Sequence, residues 1–175
     1  MRIARLATFV LLTCACGETA SPVVPQPSPS PPSNTCTASG YASLNWALPQ
    51  PASNPAPTLK SASVSGDTLK LTFFSGTPQF QVTLQSNARF SQGASGQPVN
   101  LAGSAGARIV LTGFRGDHPN YTGPKTLTST GPVLLQAAAI GDFEGYVTWG
   151  VGLSQPACAN VTTSGSTLTL HFIKT

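Results

Sequence analysis

From residue 60 onward, apolar and polar residues alternate with a period of two. Leu69, Leu71 and Phe73 alternate with Lys70 and Thr72, and Phe80, Val82 and Leu84 with Gln81 and Thr83; Leu168, Leu170 and Phe172 alternate with Thr169 and His171. Successive strand residues point to opposite faces, so each run reads as a strand with one apolar side. The runs are short, rich in Thr, Val, Phe and Leu, and bounded by Gly, Ser or Pro. No window holds a 3.6-residue period, and only residues 134–140 (LLQAAAI) would tolerate a helix. Seven or more strands at this spacing predict an all-β fold, an antiparallel β-sandwich or a partly closed barrel.

Two stretches refine this picture. Residues 65–73 (SGDTLKLTF) recur as 164–172 (SGSTLTLHF), each reading as a hairpin whose glycine supplies the positive φ of the turn. Residues 141–153 (GDFEGYVTWGVGL), read as one strand, place Phe143, Val147, Trp149, Val151 and Leu153 on a core face, interrupted only by Gly145. Asp142, Glu144, Tyr146, Thr148, Gly150 and Gly152 fall on the other face. Its two glycines mark where a loop or a ligand could approach the backbone closely.

The N-terminus does not share the alternation. Arg2 and Arg5 precede eight apolar-rich residues, 6–13 (LATFVLLT), which is signal-peptide length and far short of a membrane span. Ala15-Cys16 follows and resembles the lipobox of bacterial lipoproteins, in which the cysteine becomes the lipid-carrying N-terminus; a plain secretory signal is the alternative. The resemblance makes Cys16 the lipid-attachment residue and residues 1–15 the signal peptide. Residues 19–34 hold six prolines and no charge. Proline fixes φ and lacks an amide donor, so residues 16–35 read as an extended tether. Its reach is at most about 60 Å. Residues 36–175 then form one domain, with a second proline cluster between Trp46 and Lys60 read as an irregular loop.

Composition narrows the chemistry. Only 8% of residues are charged, and the formal charge of +4 falls to +2 once Arg2 and Arg5 leave with the signal. That balance excludes a basic nucleic-acid binder and a highly charged disordered chain. Processing at Cys16 also removes Cys14, leaving Cys36 and Cys158. Export favours a disulfide between them over two buried thiols.

GDFEGYVTWGVGL resembles the central motif of the AMIN-like domain of exported bacterial proteins, often lipoproteins. Residues 96–103 (GQPVNLAG) and 121–124 (YTGP) with Leu127 are similar to further elements of that family, so the resemblance covers about residues 60–175. The Asp-Arg pair usual on the family's first strand, and the Pro-x-Arg and Asp pattern on its last, are replaced here by TLKLTFF and TLTLHFI. The resemblance implies a β-sandwich. By analogy with the AMIN domain, which holds periplasmic amidases at the envelope by binding peptidoglycan, it also implies glycan binding at the envelope.

The residues expected to contact a ligand are Asp142, Glu144 and Tyr146, with Tyr146 the one ring expected at the surface. Asp142 and Glu144 are also the only close carboxylates. At i and i+2 on a strand they would lie about 6.6 Å apart, within the range of a glycosidase pair. Exposed strand acids are more often solvated, so no catalytic residue is assigned. His118 and His171 stand alone; no HxxxH, HxH or CxxC is present, and no metal or cofactor is expected. The reading is a non-catalytic, lipid-anchored envelope protein that binds peptidoglycan or another envelope glycan. The alternative is a structural module that docks an envelope protein through an exposed strand edge or the Gly/Ser-rich loop 86–107; nucleic acid is not expected as a partner.

Overall fold

The computed structural model describes Cys36, the backbone of residues 46–48, and residues 57–93, 95–114 and 121–175. The expected signal peptide, Cys16 and the tether lie outside the described residues, as does His118.

Ten of the twelve strands among the described residues build two antiparallel sheets. The larger sheet runs in the order β1 (Trp46–Leu48), β4 (Gln79–Gln85), β7 (Ala105–Thr112), β10 (Tyr146–Leu153), β9 (Leu134–Phe143) and β8 (Thr126–Thr128). The smaller runs β11 (Ala157–Ser164), β12 (Thr167–Lys174), β3 (Thr68–Phe73) and β2 (Leu59–Ser65). One buried cluster joins them: Leu69, Leu71, Phe73, Leu168, Leu170 and Phe172 from the smaller sheet, with Phe80, Val82, Ile109, Leu111, Trp149 and Val151 from the larger. The fold is therefore a sandwich; neither sheet closes into a barrel. The predicted alternations at 69–73, 80–84 and 168–172 each supply one inner face of it.

The sequence echo has a structural counterpart. Gly66 and Gly165 sit at φ +53° and +56° in matching two-residue turns, and the two hairpins pair through their second strands. Leu69 lies opposite Leu170, and Leu71 opposite Leu168. Exchanging the two copies maps this register onto itself, so the smaller sheet has a local two-fold axis through the Lys70–Thr169 pair.

Residues 134–140 are strand, not helix. β9 is paired on both sides, by β10 and β8. It is also covered on both faces: Leu134 and Ala137 join the main core, while Ala138 and Ile140 join a second cluster with Ala88 and Phe90. A strand buried on both faces shows no alternation, and its neighbours override the helix preference of alanine.

The cover over that second face is the 86–107 segment itself. β5 (Arg89–Ser91) and β6 (Pro98–Asn100) form a small ribbon. Phe90 and Leu101 lie over β10, where a Cβ on Gly150 would meet them at 3.1 and 3.2 Å, and one on Gly152 would collide with the Ala102 carbonyl. The Gly93 amide donates to the Ile140 carbonyl at 3.1 Å, and the Ala102 amide to Gln136 Oε1 at 2.9 Å. The expected close approach at Gly150 and Gly152 is thus made by the chain's own loop. That loop spends its apolar side chains on its own sheet, while residues 91–93 and 95–98 remain exposed.

Two further ties fix the ends of the sandwich. Asp67 Oδ1 accepts from the amides of Val133 (2.7 Å) and Leu134 (2.9 Å), linking the β2–β3 turn to β9. Cys36 and Cys158 form a disulfide with a Cα–Cα distance of 5.8 Å, spanning 122 residues of sequence.

Candidate functional site

The GDFEG stretch is not one strand. The chain reverses at Glu144-Gly145, which have φ of +50° and +81°, so that Tyr146 pairs with Phe143 and Val147 with Asp142. Two successive positive φ values define the type I′ family of hairpin turns, whose twist matches that of the flanking strands. Glu144 is the only non-glycine residue with positive φ among the described residues.

This turn corrects three expectations. Phe143 is not in the core; it is 52% exposed, beside Tyr146 at 55%. Asp142, Glu144 and Tyr146 do not share a face: Glu144 occupies the turn, and Asp142 falls on the side of its buried partner Val147. The strand spacing that would have set Asp142 and Glu144 as a glycosidase-like pair therefore does not hold. Trp149, by contrast, is fully buried, as expected.

The hairpin borders two recesses. The outer one, of about 290 Å³, lies on the ribbon-bearing face of the larger sheet; Gly93, Arg108, Asp142, Phe143, Tyr146 and Thr148 contribute to its lining. Phe143 and Tyr146 form one wall, the tip of the β5–β6 ribbon the other. Arg108 projects from β7, opposite Gly150 on β10 and Thr83 on β4, and is exposed.

The inner recess, of about 660 Å³, opens at the same end, between the sheets. Leu59, Tyr121, Lys125, Asp142, Val147 and Trp149 contribute to its lining. Lys125 Nζ donates to the Tyr121 carbonyl and stands 5.2 Å from the centroid of that ring. The Tyr121 hydroxyl in turn accepts from the Ala62 amide at 3.3 Å. The Tyr121 and Trp149 rings lie 5.9 Å apart, and the Trp149 Nε1 donor is buried with no partner.

Among the described residues, no three His, Cys, Asp or Glu side chains converge as a metal site, and no helix is long and apolar enough to cross a membrane. His171 is half-buried on β12, between Thr68 and Asn160. Sequence reasoning missed Phe143 and Arg108. The Glu-Gly dipeptide between apolar residues was a usable turn signal for Phe143, but an unbroken period-two reading passed over it. Nothing in the sequence marks Arg108, which acquires its neighbours only through the pairing of β7 with β10.

Comparison with family models matches residues 69–168 to the AMIN-like domain. No curated protein and no solved structure matches the chain. The matched span runs from β3 into β12, takes in both recesses' hairpin and the covering ribbon, and exceeds half of the chain. The chain therefore belongs to the AMIN-like domain family, a family of exported, envelope-associated modules.

Proposed function

We propose that this protein is a non-catalytic, lipid-anchored envelope module that binds peptidoglycan or another envelope glycan through the outer cleft at the β9–β10 turn. The observation that carries the proposal is the pairing of Phe143 with Tyr146, two half-exposed rings placed side by side at the mouth of a cleft. Aromatic rings left in water cost hydrophobic free energy, and sugars offer apolar C–H faces that cover such rings while their hydroxyls bond to polar neighbours. Thr148 and Arg108 supply polar groups in the same cleft. Family membership supports the envelope setting.

In this reading acylated Cys16 anchors the chain and residues 16–35 hold the domain off the membrane. Protein docking has less support. The edge strand β2 presents Lys60, Ser61, Ser63 and Ser65 to solvent, and charged or polar edges disfavour strand addition. The test is co-sedimentation of the full chain with purified cell-wall sacculi. Retention that falls on Phe143→Ala or Tyr146→Ala supports the proposal, and absence of retention at low salt sinks it. A mass increase on the N-terminal peptide tests the anchor separately.

A further inference from the structure

We infer that the outer cleft is selective for glycans bearing a carboxylate, and that Arg108 is the residue that reads it. This rests on the glycan-binding reading above and goes beyond it by naming the charge of the ligand.

The guanidinium of Arg108 has no hydrogen-bond or ion-pair partner among the described residues. Its neighbours on the sheet are neutral: Gly150 and Thr83 lie opposite it, with Gln81 and Gln85 two residues to either side along β4. One carboxylate, Asp142, lines the same cleft and has an interaction of its own. Arg108 is the one cation among the residues lining the cleft, and its exposure leaves the guanidinium open to a ligand there. The planar guanidinium offers parallel N–H donors that match a carboxylate in bidentate fashion, giving bonds about twice as strong as neutral ones.

The placement suits a chain of sugars better than a single one. Tyr146 and the residue facing Arg108, Gly150, are four positions apart on β10. At about 3.3 Å per residue the rings and the cation are offset by about 13 Å along the strand. One sugar stacked on Phe143 and Tyr146 would thus leave a linked acidic unit to reach Arg108. The carboxylate can reside on the sugar itself or on a peptide attached to it, and the chemistry at Arg108 is the same.

Isothermal titration of the full chain in detergent separates these cases with three probes. They are a neutral N-acetylglucosamine tetramer, an oligogalacturonate with carboxylates on the sugars, and muramyl dipeptide with its one carboxylate on the peptide. The inference expects at least one acidic probe to bind at least tenfold more tightly than the neutral tetramer. Arg108→Gln should erase that preference, bringing acidic and neutral probes to equal affinity, and Arg108→Lys should restore only part of it. Phe143→Ala should weaken neutral and acidic probes alike. Equal affinity for neutral and acidic probes, or a preference that survives Arg108→Gln, overturns the inference and leaves glycan binding intact. Failure to bind any probe overturns both. Because Arg108 is exposed, unchanged melting of Arg108→Gln is the control that a lost preference reflects the charge and not the fold.

Discussion

Phe143 and Tyr146 face each other directly across the β9–β10 turn, each about half exposed. The pair is set by the two-residue turn between them, so the geometry of the candidate site and that of the turn are one property. If stacking on each ring contributes about 1 kcal/mol, each single alanine substitution weakens retention on sacculi about fivefold. The folded state should barely notice: urea denaturation of Phe143→Ala or Tyr146→Ala is expected to shift by no more than about 0.5 kcal/mol, as for other exposed positions.

Glu144 holds a left-handed backbone conformation that its side chain disfavours. Asparagine tolerates that region far better and is preferred at the first position of such turns. Glu144→Asn is therefore expected to stabilise the protein by about 0.5–1 kcal/mol, measured by urea or thermal unfolding, with glycan retention unchanged. A loss of retention with no gain in stability would mean that the carboxylate of Glu144 itself contacts the ligand.

Asp67 joins the sheets at the opposite end, where one carboxylate oxygen receives two amides. Asp67→Ala leaves both donors without that acceptor and is expected to cost about 2–4 kcal/mol, since each bond to a charged group is worth about 1.5–3. Asp67→Asn keeps an acceptor oxygen at the same place and should lose less than half as much. Equal losses for the two variants would assign the effect to charge rather than to bonding.

Gly152 has no room for a side chain, because a Cβ there would collide with the Ala102 carbonyl. Gly152→Ala should push the 101–104 segment off β10 and cost about 1–3 kcal/mol, as overpacking does. Proteolysis should then cut first within the 86–104 segment, whose Phe90 and Leu101 lose their seat on the sheet. Cleavage elsewhere in the chain, with that segment intact, would show that the segment accommodates the methyl group.

These residues also show what the chain discloses before it folds. The strands at 69–73, 80–84 and 168–172 were legible because each has one wet face and one dry, so burial writes itself as alternation. β9 was not, because the β5–β6 ribbon covers its second face and removes the polar half of the pattern. The ribbon's position was half legible: Gly150 and Gly152 announced a close approach without saying what approaches. The site suffered most at a single point. Reading Glu144-Gly145 as strand rather than turn inverted the faces of Phe143 and Asp142, since a change of direction exchanges inside for outside for every residue on one side of it. Arg108 lay beyond reach for a different reason: its neighbours are far away in sequence, and no local pattern encodes a pairing.

The disulfide has a directional meaning. Three residues separate the end of β10 from the start of β11, so Cys158 sits at the Leu153 end of the sandwich, whereas Phe143 and Tyr146 stand at the other. Eight residues of β10, about 23 Å of strand, separate the two ends. By bonding to Cys158, Cys36 is fixed at the end of the sandwich remote from the turn. The domain thereby has a front and a back: the disulfide marks one end of the sandwich and the ring-bearing turn the other.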